Sequence, residues 1–320
     1  MSESGEPARH PQVATPAIHR RTPPAEVVID APLVRRLLRQ QHPDLADLLI
    51  RPVETGWDNA MFRLGEHLAV RLPRRAASAE LATHEQRWLP TFADRLPLPA
   101  PAPLRTGVPG AGFPWRWSVV PWLAGEPADL VGPRPDQATT LGRFLHALHT
   151  PAPDDAPRNP FRGGPLTERA AALEERMDRL SAHTPYITDV VRRAWDQALA
   201  APTDVEPTWI HGDLHPRNIL VDKGRLSAVI DWGDVTRGDP ATDLAVMWML
   251  FPARARRHAV AAYGPMSPAT LRRARGWAVF FGVVLIDTGL VDDPRFAAVG
   301  RQTLSRIEGW AEPPRYSRPP

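Results

Sequence analysis

A chain of 320 residues with 43% hydrophobic content can bury a real core as one large domain or two modest ones, and a net charge of +3 marks a solvated surface with no nucleic-acid footprint. Cysteine is absent, which excludes disulfides and thiolate metal sites; of 39 basic residues only Lys223 is lysine, a compositional bias that makes the high isoelectric point a weak signal. The longest apolar run, Trp277 to Ile286, is too short to cross a bilayer and no leader is visible, so a cytoplasmic protein without membrane or nucleic-acid partners is expected.

Residues 1–25, rich in Pro, Ala, Arg and His without periodicity, read as a disordered tail. Asp30 can cap a helix that begins Ala31-Pro32 and places Leu33, Leu37 and Leu38 on one face. Leu48 to Thr55, Ala60 to Leu64 and Leu68 to Leu72 follow the short β pattern, with Gly65-Glu66 as a hairpin turn. Ser78 to Leu89 reads as an amphipathic helix and Trp115 to Trp122 as an apolar strand. From Pro135 the chain turns helical, over Gln137 to His149, Thr167 to Leu180 and Thr188 to Ala200. Two short β runs, Asn218 to Val221 and Leu226 to Ile230, flank a Lys223-Gly224 turn, and helices resume at Pro240. The layout is α+β: a small strand-rich lobe over 26–122, a connector near 121–127, and a larger helical lobe over 123–320, with a cleft between them.

The segment His211-Gly212-Asp213-Leu214-His215-Pro216-Arg217-Asn218, followed by Ile230-Asp231-Trp232-Gly233, carries the chemistry. Phosphoryl transfer needs a carboxylate beside the attacking hydroxyl and oxygen ligands that hold Mg²⁺ against the phosphates. Asp213 and Asn218 lie five positions apart, the spacing of Asp and Asn in the protein-kinase catalytic loop, and Asp231 follows Asn218 by thirteen, where kinases place Asp-Phe-Gly. A zinc site on His211 and His215 would need a continuous helix, which Gly212 and Pro216 disfavour.

These residues resemble the aminoglycoside phosphotransferases and choline-kinase-like enzymes, whose signature is similar to HGDLHPRNIL followed by VIDWGD. The resemblance implies a protein kinase-like two-lobed fold with an antiparallel β-sheet in the N-terminal, nucleotide-binding lobe. It also implies ATP or GTP with Mg²⁺ as cofactors, Asp213 as the catalytic residue, and Asn218 and Asp231 as metal ligands. His211 would brace the loop, and Asp243 would hold it from the following helix, although an ordinary first-turn acid explains Asp243 equally.

Kinases grip the triphosphate with a strand lysine paired to a helix glutamate, and the N-terminal lobe has no lysine. The matching position is Arg71, with Glu85 as its acid and Glu80 as second choice; the competing reading leaves Arg71 facing solvent. Thr55-Gly56-Trp57-Asp58-Asn59 stands in place of a glycine-rich loop, so Gly56, Trp57 and Asn59 are expected near the phosphates, with Trp57 equally readable as core. By resemblance, Val120 and Leu123 of the connector would hold the base. Asp239 follows Asp231 by only eight positions, which leaves no room for a protein-kinase activation segment and points to a small acceptor. Asp287, Asp292 and Asp293 could meet a cationic acceptor such as an aminoglycoside, although Asp292-Asp293-Pro294 is also a common helix start. A metabolic alcohol (choline, an amino alcohol or a sugar) and a nucleotide-binding pseudoenzyme are the alternatives. Oligomeric state is not legible.

Overall fold

The computed structural model describes residues 23–53 and 56–308, so the tail over 1–25, except for its last three residues, and Thr55 lie outside the described residues. Helix α1, Ala31–Gln41, starts as expected: the Asp30 carboxylate accepts a hydrogen bond from the Leu33 amide at 2.8 Å, and Pro32 occupies the first turn where no amide partner is needed. Its buried face, Leu33, Val34, Leu37 and Leu38, packs on a five-stranded antiparallel sheet. The strands are β1 (Ile50–Pro52), β2 (Asn59–Leu64), β3 (Leu68–Pro73), β4 (Arg105–Gly107) and β5 (Trp117–Pro121), in the order β1-β2-β3-β5-β4.

Two differences from the sequence reading have local causes. Strand β1 starts later than expected because Leu48 closes a turn onto Leu45, and it stays at the edge, where Pro52 costs no ladder hydrogen bond. Strand β4 is too short and too proline-flanked to show a pattern. Its Gly107 is required by tertiary packing, since a Cβ there would sit 1.9 Å from the Trp117 ring.

Helix α2, Ala76–Trp88, crosses behind the sheet, and the chain then reaches the connector strand β6, Glu126–Pro127. The second lobe contains α3 (Ala138–Leu148), α4 (Ala170–Ser181), α5 (Asp189–Leu199), β7 (Thr208–Ile210), β8 (Ile219–Asp222), β9 (Arg225–Val229) and β10 (Thr236–Gly238). It ends with α6 (Ala241–Leu244), α7 (Val246–Leu250), α8 (Ala253–Tyr263), α9 (Pro268–Gly289) and α10 (Pro294–Glu308). Strand β6 adds to the β8-β9 hairpin, and β7 pairs with β10, both antiparallel.

Each lobe has its own core, and Leu89, Phe92 and Leu98, which follow α2, join the larger one. The apolar run from Trp277 to Ile286 lies inside α9 and is mostly buried in that core. No helix among the described residues is long and apolar enough to cross a membrane.

Candidate active site

The loop after β7 is fixed before any ligand arrives. Asp243, wholly buried on α6, accepts hydrogen bonds from the amides of His211 (2.6 Å) and Gly212 (2.9 Å). Gly212 has φ +85°, and a side chain there would strike the Asp234 carbonyl at 2.7 Å, so only glycine fits. His211 is also fully buried; its Nε2 lies 3.0 Å from the Ile230 carbonyl and its Nδ1 3.3 Å from the Asp213 amide, a pairing that assigns the proton to Nε2. With its ring against Trp232, at 4.7 Å between centroids, His211 ties the loop to the strand end that carries Asp231.

Asn218 and Asp231 stand at the two ends of the β8-β9 hairpin. Strand pairing brings them side by side, and the Ile230 amide donates to the Asn218 carbonyl at 2.9 Å. Asn218 Nδ2 donates to the Asp213 carbonyl at 2.9 Å, which leaves Asn218 Oδ1 as the atom for a cation. Asp231, at φ +62°, keeps 54% of its side chain exposed.

Arg71 does not face solvent. Its Nη1 donates to both carboxylate oxygens of Glu85, at 2.6 and 2.8 Å, and its Nη2 lies 3.2 Å from Asp231 Oδ1. Glu85 is therefore the partner of Arg71, and the exposed Glu80 lies 3.9 Å from His84 instead. Burial opposes the charge on Arg71, but Glu85 and then Asp231 hold its pKa above the ordinary value. Burial pushes Glu85 upward, against the pull of Arg71.

Two cavities meet at this hairpin. One, about 380 Å³, lies under the sheet and is lined by Gly56, Trp57, Asn59, Arg71, Val120 and Leu123 among others. The Gly56 amide closes the turn onto the Asn59 carbonyl at 3.1 Å, and Trp57 is 44% exposed, so it is a wall of the cleft and not part of the core. In the connector, Pro121 has no amide proton and the Trp122 amide is spent on His67, so the next donor along is Leu123. The second cavity, about 510 Å³, holds Asp213, His215, Arg162, Asp234 and residues of α9 and α10. Asn218 and Asp231 line both.

Asp213 sits between two basic groups. Arg162 Nη2 is 2.7 Å from its Oδ1, and His215 Nε2 is 3.5 Å from its Oδ2. Burial alone would raise its pKa, but Arg162 and then His215 hold the carboxylate well below the usual range. Burial and the charge of Asp213 push nearby Asp234 up to about 6. Sequence reasoning missed Arg162 and Asp234. One arginine among so many gives no signal, and Asp234 in Asp-Trp-Gly-Asp could have been found only as the acid next beyond Asp231.

Two of the three acids expected to face an acceptor are paired with arginines. Asp287 pairs with Arg179 (2.7 Å) and Arg176 (3.6 Å); Asp293 pairs with Arg217 (2.8 Å) and caps α10 at the Arg295 amide (2.9 Å). Neither these two nor Asp292 lines the cleft cavities.

A family model, the phosphotransferase enzyme family, matches residues 49–277, most of the chain. The chain belongs to that family. Among solved structures it is similar to the GDP complex of aminoglycoside 2'-phosphotransferase-IIIa, with TM-score 0.62 and 18% identity over 88% of this chain and 99% of that one. It is also similar to the macrolide 2'-phosphotransferase MphH of Brachybacterium faecium, with TM-score 0.58 and 24% identity over 88% and 98%. At these identities the likeness shows the kinase-like fold of the family. By sequence, it is 32% identical over 109 residues to the homoserine kinase of Granulibacter bethesdensis, 33% of each chain. The stretches matched in the curated relatives span a third or less of those proteins' own lengths.

Proposed function

We propose that this family member transfers the terminal phosphoryl group of ATP or GTP, as its Mg²⁺ complex, to a hydroxyl of a small molecule. The observation that carries this reading is that Asn218 and Asp231 line both cavities, with Arg71 on one side and Asp213 on the other. A nucleotide under the sheet would extend its phosphates towards that junction, and an acceptor in the second cavity would meet them at Asp213. The oxygen donors of Asn218 and Asp231 fit a hard cation that keeps water and phosphate oxygens as its remaining ligands. When bound, Mg²⁺ would neutralise charge on the phosphates.

Arg71 takes the place of the kinase lysine. Glu85 orients its guanidinium, whose fork can hold two phosphate oxygens by parallel hydrogen bonds. Asp213, kept ionised by its neighbours, aligns the acceptor hydroxyl and receives its proton late, as a loose transition state permits. The intact set of Asp213, Asn218 and Asp231 disfavours a pseudoenzyme.

The acceptor wall favours a less cationic molecule than a polyamine antibiotic. Phe281, Val284, Leu285 and Phe296 make an apolar face, and the charges around it are paired with one another, Arg162 with Asp213, Arg217 with Asp293 and Arg295 with Asp129, while Asp287 is taken by Arg179. An acceptor with an apolar side and at most one positive charge suits that wall better than an aminoglycoside with several.

The test is a panel of aminoglycosides, macrolides, amino alcohols and sugars with MgATP and MgGTP, reading diphosphate release. Asp213→Ala and Asp231→Ala should each abolish transfer while remaining folded. Retained turnover in either would refute the assignment.

A further inference from the structure

Arg162 reaches Asp213 from outside every motif. It belongs to the segment between α3 and α4, and that segment is tied down at several points. Asn159 Oδ1 accepts from the amides of Phe161 (2.8 Å) and Arg162 (3.2 Å), Asn159 Nδ2 donates to Asp234 (2.5 Å), and the Arg162 carbonyl accepts from Thr242 Oγ1 (3.3 Å). The guanidinium then lies against the Phe281 ring at 5.4 Å and on Asp213 at 2.7 Å, with a quarter of the side chain open to the cavity. Asp213 keeps 21% of its side chain exposed and lines the same cavity, so the guanidinium paired with it borders the space that the acceptor enters.

The distances give it a second partner. An acceptor hydroxyl bonded to Asp213 lies about 3 Å from that carboxylate, and the phosphorus about 3–3.5 Å beyond it. One guanidinium nitrogen is already on Asp213, which leaves the remaining N–H groups as donors for the equatorial oxygens of the group in transit. That group spreads negative charge over three oxygens, and an arginine supplied to it in other phosphoryl-transfer enzymes is worth about 10³–10⁵ in kcat.

We propose, resting on the transfer reading above, that Arg162 is a further catalytic residue: a guanidinium delivered in cis that bridges Asp213 and the phosphoryl group as it passes. In that step the acceptor oxygen bonds to the γ-phosphorus, the bond from that phosphorus to the β-phosphate oxygen breaks, the acceptor proton goes to Asp213, and the nucleoside diphosphate leaves.

Titration of MgADP and MgGDP with and without aluminium fluoride, a mimic of the phosphoryl group in transit, tests this without a known acceptor. In the wild type fluoride tightens diphosphate binding. Arg162→Ala and Arg162→Gln each lose at least tenfold of that tightening, with diphosphate affinity alone unchanged within about twofold. The inference is overturned if the Arg162 variants tighten as the wild type does, or if the wild type binds diphosphate but shows no tightening. Failure of the wild type to bind either diphosphate would refute the transfer reading itself.

Discussion

The two walls of the cleft are built on different principles. On the side proposed for the nucleotide, functional groups sit on backbone held by its own hydrogen bonds: a strand, a helix behind it, a glycine-dependent loop pinned by Asp243, and the two ends of one hairpin. On the acceptor side, the wall is a set of side chains on α9, α10 and the segment holding Arg162, with arginines and acids already paired to one another. Any phosphoryl transfer requires the first arrangement. The second can be re-lettered without disturbing the backbone, which is how one fold would come to serve different acceptors.

The largest effects are expected on the rigid side. Asp231→Ala removes the proposed cation ligand and a partner of Arg71, and should lower kcat by roughly 10³-fold or more; because the side chain is half exposed, the melting temperature should hardly change. Steady-state turnover beside a thermal melt checks both halves. Glu85→Ala leaves Arg71 buried beside Asp231 alone, which should cost about 3–5 kcal/mol of stability and weaken MgATP binding. Denaturant unfolding and calorimetric titration would show it. A stable variant with normal nucleotide binding would mean that the pair is ornamental.

The acceptor side should yield smaller effects. Phe296→Ala should raise the acceptor KM about tenfold, roughly 1.4 kcal/mol, and leave the nucleotide KM alone, whereas Asp287→Asn should change neither more than about twofold. The reverse order would restore the acidic cluster as the acceptor site and favour a polycation.

Asp234 offers the mildest test, read through pH. Its native pKa, raised to about 6, exceeds the unfolded value, so the native state binds the proton more tightly. Its contribution is therefore most favourable below about pH 4 and declines as pH rises through 6, by about 3 kcal/mol at most. Asp234→Asn should raise the melting temperature at pH 8 and have little effect at pH 4. Equal shifts at both values would contradict the linkage.

The sequence by itself determined what depends on neighbours along the chain. Asp30 before Ala31-Pro32 could only start a helix, Gly212 could only turn the loop, and the spacing of Asp213, Asn218 and Asp231 follows from one loop and one hairpin whose geometry is local. Arg71 and Glu85 were legible for the same reason, being carried on a strand and the helix that follows it. Tertiary structure alone decided the rest. Whether Asp287 and Asp293 faced an acceptor or an arginine depended on which helices packed together, and packing set them against Arg179 and Arg217. It also brought Arg162 onto Asp213, half a hundred residues away along the chain. Charge pairs across a fold are selected by where buried faces meet, and one arginine among many carries no local mark of its partner.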